Sequence, residues 1–581
     1  MAAALAFLAA CGGNSDDEKS TGAAQKGSGL LAPQVNTTDK AVKGGTAVFR
    51  VTANPINLDL NGSGGNVDVR SAGEMSYRQL LAWDHGTLDH PPEGKVIGDA
   101  FESWEVAPGG SRVTFKLRPQ KFDPRPPTNG KQATTADVKW SMERFEKLHA
   151  GRALLFNSVA PDGPLESIEY PDTNTVVMKL AFPTPYLLGA LATWLSPPFL
   201  MPLEAESRFD IKNDMRGTGP FMLMDYQPDL HRKYERNPNF WGAPKYPFLN
   251  GLEYINIREP AAWLTQFEAG RVWSFTPNND QVVDLKKRNA SKQISAVNNY
   301  GSPGAANSSY YMFSDLPGSI FKDERVRYAV SMLIDRDLAL EGVYNIKALE
   351  ANGIPMSSYW HGTASALWGD KRLDPKTGKL GDASKYWQHN PTESAKLLKA
   401  ANAYGTEQEY TTYTTGATSA GGREGEVLNQ MLQEGGHFKN IKFNSIDLAT
   451  KFLPGYHFGK GQFEGLAYLT YGGYPDFGLY MWNAWMPSGR NAVRNVPISP
   501  KLDDLARKHR AEFDAKKREA IEVEWQKEMA VVMPSVPWPG IATSFVATQP
   551  WFGNGGQAKT WGWPTQYEAN TYYNWYDASK A

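Results

Sequence analysis

The stretch from residue 97 to residue 145 reads IGDAFESWEVAPGGSRVTFKLRPQKFDPRPPTNGKQATTADVKWSMERF and has the clearest structural pattern in the chain. Pro108-Gly109-Gly110 separates two short runs with apolar residues, which predicts a β-hairpin. Further along, Thr134 and Asp137 have the spacing of a capping box, which predicts that a helix begins there. The apolar residues that follow share one helical face: Val138, Met142 and Phe145.

Short strands and helices also alternate irregularly on both sides of this stretch. The segment KGGTAVFRVTANPINLDL, residues 43–60, predicts a strand after a Gly-Gly turn. The segment HNPTESAKLLKAANAYG, residues 389–405, predicts a helix with Asn390 as its N-cap and Gly405 beyond its end. Because there is no repeat of fixed period, we expect an α/β protein with α+β elements, whose lobes are interleaved along the chain.

Length and composition restrict the class of protein. A chain of 581 residues exceeds the size of a single hydrophobic core, so several lobes are expected. The formal net charge is -1, without a long basic run, which argues against nucleic acid as a partner. Aromatic residues make up 12% of the chain, a supply that suits either an aromatic core or the wall of a ligand pocket.

The N-terminal segment contains the single cysteine of the chain, Cys11. Small residues before a lone cysteine are typical of a lipobox, so residues 1–11 predict a truncated signal peptide and lipidation at Cys11. Residues 12–43 are rich in small and polar residues and predict a flexible tether. A lipoprotein at the periplasmic face or the cell surface is the expectation.

Local catalytic and metal-binding motifs are absent from the sequence. The nine His residues form no HExxH pattern, and there is no G-x-S-x-G elbow, Walker A loop or G-x-G-x-x-G fingerprint. Their absence favours a binding protein over an enzyme, without a metal site or cofactor. A secreted glycan-acting enzyme remains an alternative, because a carboxylate pair can come from distant segments.

Several segments, in order, resemble the bacterial extracellular solute-binding proteins of family 5, the peptide-, nickel- and opine-type binding components of ABC importers. They are residues 43–60 and 97–145, together with GTGPFMLMDYQPDLHRKYERNPNFWG, residues 217–242, and KDERVRYAVSMLIDRDLAL, residues 322–340. The resemblance covers most of residues 44–550.

The resemblance implies a two-lobed periplasmic-binding-protein-like fold with an extra inserted domain and a hinged, Venus-flytrap cleft. Lobe I would comprise residues 44–80, 205–305 and 530–581. The inserted small domain would be residues 81–204, and lobe II residues 306–529. The function implied is capture of an oligopeptide or similar solute, and its transport across the membrane through ABC permease subunits, by a monomeric receptor.

The resemblance also implies where the ligand binds. In LAYLTYGGYPDFGLYMWNAW, residues 466–485, the wall of the cleft would include Tyr471, Gly472, Gly473, Tyr474 and Asp476, whereas Leu479 to Trp485 would pack as core. In SSYYMFSDLP, residues 308–317, alternation would place one face in the core and the other, with Tyr310, Met312 and Ser314, in the cleft. Trp360 lies in a loop expected near the pocket.

The identity of the ligand stays open at this point. Gly473 stands where peptide-binding relatives have an Asp that pairs with the α-ammonium group of the ligand. A buried ammonium group needs a carboxylate partner or a full set of acceptors, so the loss of that Asp argues against a simple free peptide unless Asp476 or another acid substitutes. An oligosaccharide or opine-type solute is therefore the rival to an oligopeptide, and a ligand sensor for a membrane partner is a further alternative.

Overall fold

The structure is a computed structural model. It describes residues 30–32, 35–52, 55, 57–62, 67–84, 89, 95–193, 198–297, 308–363, 373–415, 418–419, 421–457, 461–471, 476–486, 499–555 and 571–581.

The strands carry the framework of the molecule. In chain order they are β1 Thr46–Val51, β2 Arg78–Gln79, β3 Leu81–Trp83, β4 Val96–Gly98, β5 Phe101–Val106, β6 Arg112–Leu117, β7 Leu165–Glu169, β8 Thr175–Leu180, β9 Phe199–Leu200, β10 Phe221–Gln227, β11 His231–Arg236, β12 Gly251–Asn256, β13 Ser274–Phe275, β14 Gln293–Val297, β15 Ser308–Phe313, β16 Ser358–Trp360, β17 Thr406–Thr415, β18 Thr418–Ser419, β19 Phe438–Asp447, β20 Leu466–Tyr471, β21 Ser535–Pro537, β22 Gly540–Ala542, β23 Ser544–Thr548, β24 Phe552–Gly553 and β25 Trp575–Tyr576.

Helices cover the sheets and connect the strands. They are α1 Val67–Gly73, α2 Thr135–Leu148, α3 Tyr186–Ala192, α4 Pro260–Glu268, α5 Val282–Arg288, α6 Glu324–Leu333, α7 Arg336–Tyr344, α8 Ile346–Ala351, α9 Pro391–Ala400, α10 Gly422–Gln433, α11 Phe477–Tyr480, α12 Pro500–Ala511 and α13 Ala515–Val532.

The hairpin and the helix caps that the sequence predicts are confirmed. Strands β5 and β6 pair antiparallel, and Gly109 and Gly110 take positive φ values of 84° and 68° in the turn between them. The Thr134 amide donates to the Asp137 carboxylate at 3.0 Å at the start of α2. At the start of α9, the Asn390 side chain accepts a hydrogen bond from the Glu393 amide at 3.0 Å.

Two groups of sheets form the two lobes. In the first lobe, one sheet has the strand order β1-β12-β11-β10 and a second has the order β13-β23-β14. In the second lobe, the strand order is β18-β17-β20-β15-β21, and β19 also pairs with β17. Helices α6, α7, α9 and α10 share a hydrophobic core with one face of this sheet.

The chain passes between the lobes after β14 and again after β21. It leaves the first lobe after β14 and enters the second lobe at β15. It returns from β21, the neighbour of β15, through β22 to β23, the neighbour of β14. We call residues 538–543, which connect β21 to β23, the hinge segment.

A third unit lies between the strands of the first lobe in the sequence. Its four-stranded antiparallel sheet has the order β5-β6-β8-β7, and α2 and α3 pack with it in one hydrophobic cluster. That cluster continues into the second lobe through α11, α12 and α13.

The prediction that Leu479 to Trp485 packs as core is confirmed for the side chains that the structure describes. Leu479, Tyr480, Met481, Trp482, Ala484 and Trp485 are all at most 4% exposed. Their rings join Trp525 of α13 and face α3 of the third unit. We call Tyr186, Phe477, Tyr480, Trp485, His509 and Trp525 the aromatic contact.

Candidate functional site

A cavity of about 160 Å³ lies beside the hinge segment 538–543. It opens between α7, α10, the end of β20 and the chain after β21. We call it the hinge cavity, and it is lined by Ser309, Ala339, Leu340, Val343, Tyr344, His361, Glu424, Leu428, Tyr468, Trp538, Pro539, Gly540 and Ile541. The mixture of aromatic and aliphatic walls with a few polar groups is the usual composition of a small-molecule site.

The aromatic wall of the cavity is held by the central strands of the second lobe. The rings of Tyr468 and Trp538 lie 4.7 Å apart between centroids and are tilted by 59°. Ser309 joins them, since its hydroxyl lies 3.1 Å from the Tyr468 hydroxyl and its carbonyl accepts from the Trp538 amide at 2.9 Å. Two strands and a hinge segment therefore fix this wall in place.

Helix α10 approaches the wall closely because a glycine precedes it. Gly421, its N-cap, has φ 59°, and a Cβ atom there would lie 2.6 Å from the Trp538 ring and 2.7 Å from the Tyr468 ring. A side chain at position 421 would push the helix away from both rings. The first turn of α10, which contains Glu424, consequently lies against the aromatic wall.

The polar groups of the cavity differ in their contacts. Within the residues that the structure describes, Glu424 is half-buried and forms neither a salt bridge nor a hydrogen bond. The neighbouring Arg423 pairs instead with Asp280 of the first lobe at 3.1 Å and donates to the Gly342 carbonyl at 3.1 Å. Trp538 is 6% exposed, and its indole N–H has no hydrogen-bond partner in the described structure.

Burial and charge shift one tyrosine pKa next to this turn. The pKa of Tyr410 lies well above its usual value, mainly because the ring is buried, and nearby groups including Glu424 add to the increase. A Cβ atom on Gly425 would lie 2.8 Å from the Tyr410 ring, so the ring is packed against α10. Tyr410 therefore stays a neutral structural group under α10 at ordinary pH.

The structure places Tyr310 and Met312 in the interior. Both are 1% exposed and belong to the cluster that joins the second lobe to the third unit. The Tyr310 hydroxyl hydrogen-bonds the Tyr480 hydroxyl at 2.9 Å. The opposite face of β15, with Tyr311 and Phe313, is equally buried, in the core under α6 and α10. Alternation along β15 thus separates two cores, and the assignment of Tyr310 and Met312 to the ligand stays a prediction.

Ser314 and Trp360 take part in local contacts. Ser314 is 1% exposed, and its hydroxyl accepts a hydrogen bond from the Leu316 amide at 3.3 Å. The Trp360 indole donates to Asp337 at 2.7 Å, and the Lys376 ammonium lies 4.6 Å from its ring centroid. The residue after it, His361, lines the hinge cavity. The prediction that Trp360 lies in a loop is wrong, because Trp360 is the last residue of strand β16. Its role in ligand binding stays a prediction.

Asp476 acts as the N-cap of α11. Its carboxylate accepts a hydrogen bond from the Leu479 amide at 2.8 Å. Burial raises the pKa of Tyr186 well above its usual value, and the charge of Asp476 adds to the increase. It is not among the residues that line the hinge cavity.

The remaining predicted site residues lie outside the described part of the chain. Gly472, Gly473, Tyr474 and Cys11 are not described, and Tyr471 is described only as the last residue of β20. The stretch 472–475 directly follows the strand that carries Tyr468 to the cavity.

Sequence reasoning missed Glu424, Tyr468 and Trp538. Glu424 is an acid in the first turn of a helix, where acids commonly stabilise the helix without any ligand. The Gly421-Gly422 pair ahead of it was the available signal, because glycines mark close approach of backbone to rings.

The described residues contain no group of three or more His, Cys, Asp and Glu side chains that could hold a metal ion. Every helix in the described ranges is too short or too polar to cross a lipid bilayer.

Two lobes connected by the hinge segment, with a cavity beside it, define the fold class of this protein. Comparison with solved structures supports this fold. The periplasmic binding protein DppA from Helicobacter pylori, in complex with the peptide STSA, matches with a TM-score of 0.72 and 18% identity, over 93% of this chain and 99% of that one. AgaA of A. tumefaciens R10, in complex with agropinic acid, matches with a TM-score of 0.69 and 17% identity, over 92% and 99% of the two chains.

The chain belongs to the bacterial extracellular solute-binding proteins of family 5, whose sequence model matches residues 95–496. The family consists of extracellular binding proteins rather than enzymes. The dipeptide-binding protein of Escherichia coli K12 is 23% identical over 366 residues, which are 59% of this chain and 63% of that protein. Relatives from Brucella named for ABC-transporter peptide binding are 26% identical, and the chain matches 46% of their length.

Proposed function

We propose that this protein is the substrate-binding component of an ABC importer. It captures an oligopeptide or a similar small solute in the cleft between its lobes and delivers it to membrane permease subunits. Closure of the lobes buries the solute, and selectivity comes from the shape of the site and a few placed polar groups.

The observation that carries this proposal is the position of the hinge cavity. It lies beside the hinge segment 538–543, and its walls come from β20, α7, α10 and the chain that returns to the first lobe. An occupant there contacts the elements that move when the lobes close. Binding of the solute then favours the closed form of the lobes, so that a permease can distinguish a loaded receptor from an empty one.

Capture of an intact solute tests the proposal. The purified protein is incubated with an equimolar mixture of di-, tri- and tetrapeptides, and the retained molecules are identified by native mass spectrometry. We expect retained peptides to be intact and to raise the unfolding temperature with concentration, since a ligand of the native state stabilises it. Retention of none, or recovery of cleaved fragments only, would contradict the proposal.

An opine-type or oligosaccharide solute is a second candidate. Gly473 removes the acid that peptide-binding relatives use, and the solved structure of AgaA contains agropinic acid. Agropinic acid and a tetrapeptide, titrated separately by calorimetry, distinguish the two candidates. Heat of binding with agropinic acid alone would favour this candidate over peptides.

We propose lobe boundaries from the sheet membership. The first crossing lies between β14 and β15, close to residue 305, and the return crossing lies at 538–543, because β21 still pairs with β15. Residues 81–204 form the inserted domain, since its sheet β5-β6-β8-β7 and helices α2 and α3 fall within them. Limited proteolysis followed by mass spectrometry should cleave at these crossings before it cleaves within a lobe.

We further propose that Cys11 is lipidated and anchors the protein at the outer face of a membrane. The support is the run of small and apolar residues before a lone cysteine, followed by a polar segment. Labelling with a palmitate analogue in a bacterial host, with Cys11→Ala as control, tests it. Equal labelling of both forms would refute the anchor.

A further inference from the structure

A second cavity, of about 350 Å³, is lined entirely by residues of the third unit. One wall is a single stripe of α2 formed by Lys139, Met142, Glu143 and Glu146, whose spacing of three, four and seven residues places them on one helical face. The opposite wall is residues 165–168 of strand β7. We call this cavity the α2–β7 groove.

Strand β7 has an open backbone edge along this groove. It is the last strand of the sheet β5-β6-β8-β7, so β8 is its neighbour on one side. Among the described residues of the strand, only Leu165 is also bonded on the other side, where its amide donates to the Leu155 carbonyl at 2.7 Å and its carbonyl accepts from the Asn157 amide at 2.9 Å. Residues 166–169 therefore leave an edge that can pair with another extended chain.

The floor of the groove is apolar. Met142, Phe156 and Leu165 line it and are at most 5% exposed. Ile168 and Tyr170 are half-buried beside them. A long aliphatic side-chain stem can pack on such a floor while its polar head stays at the rim.

The rim of the groove is negatively charged. Glu143, Glu146 and Glu166 line it, against one ammonium group among the lining residues, that of Lys139. Lys139 lies 3.9 Å from Glu143, and both side chains are more than half exposed, so this pair is weak. Glu146 accepts from the Ser158 hydroxyl at 2.5 Å, and Glu166 forms no salt bridge or hydrogen bond within the described part of the chain. The rim therefore keeps an excess of negative charge that a partner can match.

Two of these carboxylates also act on a ring inside the groove. Burial raises the pKa of Tyr170 well above its usual value, and the charges of Glu143 and Glu146 add to the increase. The negative charge of α2 is consequently felt within the groove as well as at the surface.

The combination of negative charge and an open strand edge restricts the class of partner. Nucleic acids and anionic lipid surfaces carry negative charge and would be repelled. An extended polypeptide can pair its backbone with β7 and point every second side chain toward α2. Side chains two residues apart on a strand are separated by about 7 Å, and those three apart on a helix by about 5–6 Å. Two basic residues at alternate positions therefore match Glu143 and Glu146.

We propose that the α2–β7 groove docks an extended basic segment of a partner protein, which adds as a strand to the open edge of β7. Alternate Lys or Arg side chains of that segment pack their stems on Met142 and Phe156 and pair their charged groups with Glu143 and Glu146. This interaction is separate from capture of the solute, because the groove is built from the third unit alone.

A short capped peptide tests strand addition without any change in the protein. The probe is Arg-Val-Arg-Val-Arg, acetylated and amidated, with a fluorophore for anisotropy measurements. Two control peptides are N-methylated, one at the Val amides and the other at the inner Arg amide. Every second amide of an added strand faces its neighbour, so one control should bind at least about tenfold more weakly than the probe, and the other should bind like it.

Variants test the charge pairing. The double variant Glu143→Gln, Glu146→Gln should weaken binding of the probe about three- to thirtyfold, with a smaller difference at high salt. The matched control is the double variant Glu102→Gln, Glu105→Gln, which removes two exposed charges from β5 at the other edge of the same sheet and should leave binding unchanged.

Photo-cross-linking shows where the probe binds. A benzophenone group in place of the second Val should attach to tryptic fragments within residues 139–170. Cross-links to the fragments that line the hinge cavity would overturn this inference and leave the proposed function intact. No binding by wild type, equal binding by wild type and the Glu143, Glu146 double variant, or full displacement of the probe by an equimolar amount of spermidine, which has no peptide backbone, would also overturn it.

Discussion

The aromatic contact and the hinge cavity flank the same sheet of the second lobe, yet they are built differently. In the aromatic contact, Tyr310 and Tyr480 bond each other, and His509 lies between the Tyr186 hydroxyl and Glu522. In the hinge cavity, the rings of Tyr468 and Trp538 border open volume, and Glu424 and the Trp538 indole lack partners among the described residues.

An aromatic core and an aromatic pocket can be told apart by the space beside their rings. Ring content is high in both regions, so composition does not separate them. Open volume beside the rings does, because a core is packed at close to crystal density, whereas a binding site leaves space for its ligand. Matched substitutions in the two regions therefore test whether each is core or pocket.

The largest difference is expected for removal of a tryptophan. Trp525, 1% exposed, touches Phe477, Tyr480 and Trp485, so Trp525→Ala should lower the free energy of unfolding by about 3–5 kcal/mol. Trp538→Ala should lower the free energy of unfolding by less, because one side of that ring already faces the cavity. Urea denaturation of both variants measures this, with the 41% exposed Trp241→Ala as control. An equal loss of unfolding free energy for Trp525→Ala and Trp538→Ala would show that the Trp538 ring is packed as core and not as the wall of a cavity.

The next effect concerns the Tyr186 hydroxyl, which links the third unit to His509 of the second lobe. Tyr186→Phe leaves the His509 Nδ1 atom without this partner and should cost about 1–3 kcal/mol at neutral pH. Burial and the nearby Asp476 charge raise the pKa of Tyr186 well above its usual value. The contribution is therefore complete below the unfolded pKa of about 10 and is lost as the pH rises above it.

The free energy of unfolding, measured from neutral to alkaline pH, tests whether stability falls as the pH rises. Above about pH 10 the unfolded chain releases the Tyr186 proton and the folded chain keeps it, so wild type should lose up to about 1.4 kcal/mol per pH unit from this group. Tyr186→Phe should have a slope that is smaller by that amount. Identical slopes for wild type and Tyr186→Phe would show that the hydroxyl is not buried as described.

The smallest effect belongs to the ion pair near the cavity that connects the lobes. Arg423 and Asp280 are about half exposed, so Asp280→Asn should change stability by only about 0.2–1 kcal/mol, and less at high salt. Thermal unfolding at low and high ionic strength measures this. A larger, salt-independent loss would mean that the pair holds the lobes together and that closure does not depend on ligand alone.

The sequence by itself determined the family, the mixed α/β class and several local features. The Pro108-Gly109-Gly110 turn, the Thr134 and Asn390 caps and the core character of Leu479 to Trp485 depend on residues close together in the chain. Turns and caps are decided by backbone conformation and by hydrogen bonds over three or four residues, so their signals are visible in a short stretch.

The rings that border a cavity, and the acid beside them, are set by packing between distant segments. Tyr310 and Tyr311 alternate as a strand requires, but both faces of β15 are buried, so alternation could not separate core from cleft. Ser309, Glu424 and Trp538 are more than a hundred residues apart in the chain and meet because β15 pairs with β21 and Gly421 admits α10 to the wall. Contacts of that range depend on packing of whole elements, which no local pattern records.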